Sequence, residues 1–250
     1  MKTMTSMIRT LLAAALLAPL AALASGAKLQ LDHAPVNLHD QASLQRGAQA
    51  FVNHCLNCHA AAAMRYSRLG DIGLTEAQIR DNLLLAGEKV GEPMTTVLAA
   101  KDAKVFFGVV PPDLSLAARS RGSDWLYTYL RGFYRDPGTK SGWNNTVFPN
   151  VGMPHVLWEY QGDQSLRVTS RMDPNTGDKI ETRKLGLDRA GTLKPVEYDQ
   201  YVGDLVNFMT WMSEPAQASR KLWGIIVLFF LAVFFGITLM LKNEYWKDVR

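Results

Sequence analysis

The stretch FVNHCLNCHAAAAMRY, Phe51 to Tyr66, constrains the fold most, because it holds both cysteines of the chain, Cys55 and Cys58, with His59 directly behind them. Three chemistries use a Cys-x-x-Cys pair. A thioredoxin-like redox pair follows a strand and opens a helix within a βαβ pattern. Here the residues upstream, SLQRGAQAFVNHC, read as helix, with Leu44, Ala48, Phe51 and Val52 on one side. A structural zinc site needs four ligands. No further cysteine exists, and the other histidines, His33, His39, His54 and His155, are scattered. The remaining reading is C-x-x-C-H, the attachment motif of a c-type haem. Two thiols add across the two vinyl groups on one porphyrin edge, and the next residue brings its imidazole to the iron. Cys55 and Cys58 are then the thioether residues of one covalent haem c, and His59 is the proximal ligand. A chain so modified must fold around a flat apolar disc.

An iron held by one histidine needs a sixth ligand or an open face. A thioether raises the reduction potential and suits electron transfer, whereas an open position suits gas or peroxide chemistry. Met64 is too close in sequence to His59 to reach round a ring. Met172 sits beside a turn, and Met209 and Met212 fall in a helical stretch that reads as packing. Met94, in GEKVGEPMTT, and Met153, in TVFPNVGMPHVLW, are loop methionines and stay as candidates, with His155 behind them as a surface or hydrogen-bonded histidine. Met153 is better placed, because Gly152 lets backbone approach a ring and Pro154 stiffens the loop.

Two apolar segments stand apart from this domain. Residues 1–24 read as a secretory signal peptide: Lys2 and Arg9 precede the run Leu11–Leu23, and Ala22-Leu23-Ala24 supplies small residues for cleavage. Leu222 to Leu241 is an uncharged run of 20 residues. At 1.5 Å per residue it reaches about 30 Å, the thickness of a bilayer core. Arg220, Lys221 and Lys242 bound it, with Trp223 and Tyr245 at interfacial positions. The expected organisation is an exported body over 25–219, an anchor over 220–241 and a cytoplasmic tail over 242–250. Between Ser25 and Ser219 the chain carries 20 basic and 21 acidic residues, so the net +4 of the whole belongs to the signal and the membrane flanks. The basic pI is therefore no sign of nucleic-acid binding.

Along the body, Asp40–His54 reads as a helix leading into the haem motif. LTEAQIRDNLLLAGE has Thr75 as N-cap and Gly87 as stop, and SDWLYTYLRGF begins a helix at Ser123 or Asp124. LRVTSRMDPNTGDKIETRKL alternates around a Pro-Asn-x-Gly turn and reads as a hairpin. Pro195 to Met212 is the last helix of the body, broken from the span by Pro215. Phe106, Phe107, Trp125, Phe133, Trp143 and Trp158 are expected in the core and the haem pocket. The turn-rich loop GFYRDPGTKSGWNN is expected at the surface near Met153. Arg119 and Arg121, beside Gly122, offer a guanidinium fork to a propionate.

CLNCH, PPDLSLAARSRG (Pro111–Gly122), FPNVGMP (Phe148–Pro154) and the terminal anchor after FMTWMSEPAQASRKLWG together resemble cytochrome c1, the haem subunit of ubiquinol–cytochrome c reductase, over about residues 30–246. The resemblance implies a mostly α, cytochrome c-type haem domain with loop and β-hairpin insertions plus one C-terminal transmembrane helix. It implies Met153 as sixth ligand, Arg121 as partner of a propionate, and Pro111 and Pro112 packed against the ring edge. It also implies a one-electron relay, from a Rieske iron–sulfur protein to a soluble or membrane-tethered cytochrome c. The chain would pack against a cytochrome b subunit in the lipid bilayer of a bacterial inner membrane, with the haem domain on the periplasmic side. Family members often carry a tyrosine soon after the arginine. Trp125 stands at that position here, with Tyr127 two residues on. Some relatives form a disulfide with extra cysteines, which this chain lacks.

Overall fold

The structure is a computed structural model that describes residues 30–172, 177 and 179–248. The signal segment, residues 1–24, and the tip of the hairpin turn lie outside the described residues. Two helices make the frame. The first, α1 (Gln41–His54), is capped by Asp40, whose side chain accepts from the Ser43 N–H at 3.0 Å. The second, α7 (Pro195–Ser213), starts with proline at its first turn, where no N–H is needed, and Lys194 N–H donates to Glu197 at 2.9 Å.

These two helices cross in close contact. A Cβ at Gly47 would lie 2.1 Å from the Asp204 carbonyl oxygen and 2.7 Å from the Phe208 Cβ, so only glycine permits the approach. Around the crossing, Leu44, Phe51, Val52, Val202, Leu205 and Phe208 are buried, with Phe51 and Phe208 rings 5.6 Å apart. Two polar links fix the register. Asn207 accepts from the Asn37 N–H at 3.0 Å and donates to the Asn37 carbonyl at 2.9 Å. Arg46 grips the nearly buried Asp204 with both Nε, at 2.6 Å, and Nη2, at 3.0 Å.

Shorter elements wrap this pair: β1 (Ala61–Arg65), a 3₁₀ helix (Tyr66–Ile72), α2 (Glu76–Asn82), β2 (Pro93–Met94), α3 (Ala100–Phe107), α4 (Ala117–Arg121) and α5 (Ser123–Arg131). Then come β3 (Phe133–Arg135), β4 (Trp143–Asn145), α6 (Trp158–Gln161), β5 (Gly162–Met172) and β6 (Lys179–Ala190). The strands pair antiparallel as β1–β2, β3–β4 and β5–β6. The long β5–β6 hairpin is the expected one, with Leu166 opposite Leu185 and Val168 opposite Arg183. Gly162, at φ 92°, lets its base close, because a Cβ there would meet the Arg189 carbonyl at 2.1 Å.

Some expectations change. Thr75 caps α2 in a reciprocal capping box with Gln78, but the helix ends at Asn82, well before Gly87. Leu83 turns into the core there, and Asn82 Nδ2 holds the Gln78 carbonyl at 2.9 Å. Phe133 and Trp143 are buried, and Trp125 is partly so, but Phe106 is 72% exposed and Trp158 also faces solvent. Trp158 instead lies 5.9 Å from the Arg189 guanidinium. His155, expected at the surface, is buried, with its ring stacked 4.8 Å from Phe133 and edge-on to Trp143.

The last helix, α8 (Gln217–Trp246), is the one helix among the described residues long and apolar enough to cross a membrane. None of its apolar window is buried against the rest of the chain. An all-round apolar helix with no face buried against its own domain is a candidate membrane span rather than a core helix. It extends past both ends of the run read from sequence, because Gln217–Lys221 and Lys242–Trp246 carry on the same helix.

Candidate haem site

Helix α1 ends at His54, and the chain then coils once more. The Cys58 and His59 N–H groups donate to the Cys55 carbonyl at 3.1 and 2.9 Å. That turn sets Cys55, Cys58 and His59 on the wall of a cavity of about 630 Å³. The volume lies in the range of cofactor sites, about 300–1,000 Å³. Apolar side chains dominate its lining, among them Val109, Leu116, Leu126, Phe148 and, from α7, Leu205 and Met209. Burial, with the neighbouring Cys58, pushes the Cys55 thiol up to about 12. Redox-active thiols have the opposite shift. Among the described residues no three His, Cys, Asp or Glu side chains gather as a metal site.

His59 is oriented by the PPDLS segment. Its Nδ1 lies 2.7 Å from the Pro112 carbonyl oxygen. A carbonyl only accepts, so Nδ1 carries the proton and Nε2 keeps its lone pair for a ligand bond. Burial lowers the imidazole pKa, which favours that neutral form. The segment is itself laced to the strand beyond the cysteines. Asp113 accepts from the Ala62 N–H at 2.8 Å and the Ser115 N–H at 2.7 Å, and the Leu114 N–H donates to the Ala60 carbonyl at 2.8 Å. Pro112 thus acts on the histidine through its backbone, a more specific part than packing at a ring edge. Asp113 and Ser115 were not singled out from sequence, although Asp-x-Ser is a turn signature.

Met153 lines the same cavity. Two buried asparagines of β4 hold its loop. Asn144 Oδ1 accepts from the Asn150 N–H at 2.8 Å, and Asn145 Oδ1 accepts from Val147 at 2.9 Å and Phe148 at 3.2 Å. The turn-rich stretch before Met153 therefore ends as its scaffold, a part that its composition did not disclose. Tyr129 donates to the Met153 sulfur at 3.4 Å. Its ring stacks on Trp125 at 4.9 Å, and burial pushes its phenol well above the usual range.

Of the candidates read from sequence, Met94 and His155 fall away, while Met209 of α7 also lines the cavity, buried within the core. Met94 is fully buried in the β1–β2 pair, opposite Ala61, and Met64 is packed in the core. His155 sits two residues from Met153 but turns into the Phe133–Trp143 cluster, where burial holds its pKa down to about 4. The two arginines of ARSRG also separate. Arg119 pairs with Glu214 at 2.6 Å, whereas Arg121 lines the cavity with its guanidinium 5.2 Å over the Trp125 ring. Tyr127 is turned away from the cavity, beneath Arg131 at 4.5 Å. Trp125 is thus the aromatic side chain beside Arg121.

The residues fit a haem: an apolar cavity, two thiols and an oriented imidazole, two thioethers in the lining (Met153 and Met209), and an arginine at hand for an anion. The Cytochrome C1 family model matches residues 32–90 and 190–249, the segments that carry the cysteines, α7 and α8. Cytochrome c1 of Allochromatium vinosum is 47% identical over 94% of this chain and 96% of its own length. The chain belongs to the cytochrome c1 family. Cytochrome c1 of Rhodospirillum rubrum is 30% identical over 96% of the chain and 99% of its own length. A Nitrosomonas europaea protein that bears the name ammonia monooxygenase gamma subunit is 49% identical over 98% of this chain and 99% of its own length. Cytochrome c1 is the haem-bearing electron-transfer subunit of bc1 complexes. Met153 and Arg121 fall between the two segments of the family match, so their placement rests on the geometry.

Proposed function

We propose that this chain carries one covalent haem c and relays single electrons within a ubiquinol–cytochrome c reductase. In this reading Cys55 and Cys58 form the thioether links, His59 and Met153 are the axial ligands, and Arg121 pairs with a propionate. The observation that carries it is the His59–Pro112 hydrogen bond. It leaves Nε2 of His59 with a free lone pair, and His59 and Met153 line the same cavity. When bound, the haem would supply one-electron redox chemistry, with His59 and Met153 holding its iron. The chain holds the imidazole in one tautomer, fixes the sulfur through Tyr129 and the β4 asparagines, and keeps the cavity apolar. Rigid ligands and a dry pocket limit the rearrangement that accompanies each electron.

The donor is a Rieske iron–sulfur protein, and the acceptor a soluble or membrane-tethered cytochrome c. The span 220–241 packs against a cytochrome b subunit in a bacterial inner membrane, with residues 25–219 on the periplasmic side and 242–250 in the cytoplasm. The apolar, unburied surface of α8 supports the anchor, and the C-x-x-C-H motif supports export, since haem c attachment takes place outside the cytoplasm. The name of the Nitrosomonas relative describes oxygen chemistry. Oxygen activation needs an open iron position, which Met153 would fill in this reading.

A Met153→Leu substitution tests the assignment. The oxidised wild type is expected to show the far-red Met–Fe(III) band, and the variant to lose it and to fall in reduction potential. A band that persists in the variant removes Met153 from the iron.

A further inference from the structure

We infer that Tyr129 tunes the iron through its sixth ligand: its phenol holds the Met153 sulfur by a hydrogen bond and favours the reduced state. The inference rests on Met153 being that ligand. Tyr129 donates to Met153 Sδ at 3.4 Å, a normal length for a sulfur acceptor. A thioether sulfur has no proton to give, so the phenol is the donor. The sulfur has two lone pairs, so it can bind a metal with one and accept this proton with the other.

The ring that carries the hydroxyl has little freedom. It stacks on Trp125 at 4.9 Å and 10°, and meets Phe133 edge-on at 5.1 Å. The Tyr129 carbonyl also accepts from Asn145 Nδ2 at 2.8 Å, which ties its backbone to the asparagine that shapes the Met153 loop. Phenol and sulfur are thus positioned by one structure. Methionine is otherwise flexible, with three rotatable bonds, and the hydrogen bond selects one placement of the sulfur.

The electronic consequence has a definite sign. Donation to the sulfur withdraws electron density from the ligand. An electron-poor ligand stabilises Fe(III) less than Fe(II). The O–H dipole also points its positive end toward the sulfur, and so would favour added negative charge on a metal bound there, in an apolar cavity where such a dipole is weakly screened. Both effects favour reduction. The electron enters the iron, and the phenolic proton stays on its oxygen. Tyr129 is therefore a positioning residue, acting through Met153. Arg121, Trp125 and Tyr129 recur every fourth residue, so the set was visible as spacing, but nothing in that spacing pointed to the sulfur.

The test is a redox titration of the full-length, haem-loaded protein in detergent, with the far-red band recorded in parallel. Tyr129→Phe keeps the ring and removes only the hydroxyl. The expected result is a retained band and a reduction equilibrium constant lower by about three- to tenfold, the worth of one hydrogen bond. That is a fall of about 30–59 mV, at 59 mV per tenfold for one electron. Replacing Tyr129 with 3-fluorotyrosine, a stronger donor of nearly the same shape, is expected to raise the potential, and it serves alone if the phenylalanine variant does not assemble. A purely structural role would move the melting temperature and leave the potential in place. An unchanged potential in either variant that keeps its band overturns the inference. A wild type without the band, or a band that survives Met153→Leu, overturns the ligand assignment and the inference with it.

Discussion

Single side chains around the cavity divide into those proposed to hold a haem and those that hold the first group still. Asn145 belongs to the second group: it is almost fully buried, accepts from the Val147 and Phe148 N–H groups and donates to Tyr129. Asn145→Ala leaves those donors without partners, which costs about 1–3 kcal/mol. We expect a lower melting temperature, and easier displacement of Met153 by added imidazole, read as loss of the far-red band at lower imidazole concentration. His155 makes a pH prediction. Burial lowers its folded pKa to about 4 from 6.5, so below 6.5 the unfolded chain binds a proton that the folded chain refuses. Its contribution is complete above pH 6.5 and is lost as pH falls toward 4, by about 3 kcal/mol over the full window. Urea midpoints measured from pH 7.5 to 4.5 should fall more steeply for the wild type than for His155→Gln. Parallel slopes would show that another group dominates.

At the scale of elements, the α1–α7 crossing sets the site. The end of α1 starts the Cys55–His59 turn, and α7 contributes Leu205 and Met209 to the cavity lining. Gly47 is the narrowest point. Gly47→Ala is expected to destabilise by at least about 1–3 kcal/mol, the usual cost of overpacking, because its new carbon meets the Asp204 backbone rather than a movable side chain. Thermal unfolding of the variant, with haem content per protein, measures this. An unchanged melting temperature would mean that the helices separate freely. Helix positions were readable in the sequence from capping and periodicity, as at the Thr75 cap and along Leu44–Val52. The end of α2 was not, because Leu83 leaves the helix to fill a space that only the assembled core defines.

For the whole molecule, an apolar helix with no buried face is joined to a domain that has its own core. The full chain is expected to stay with membranes through an alkaline carbonate wash. A chain ending at Ser213, before α8, is expected to be recovered in the soluble fraction with the same absorption spectrum. A changed spectrum would tie the haem site to the anchor. C-x-x-C-H, the uncharged run Leu222–Leu241 and the alternation of the hairpin determined much by themselves: the cofactor class, the membrane tether and most of the secondary structure. All are local patterns, set by spacing along the chain. The tertiary structure decided the rest. It put Met94 in the core and Met153 at the cavity. It turned Arg119 toward Glu214 and left Arg121 beside Trp125. It buried His155, and it set the Pro112 carbonyl on His59 and the Tyr129 phenol on Met153. Those outcomes depend on which side chains meet across long sequence separations, and a residue's own neighbours in sequence do not encode which space remains for it once the helices have packed.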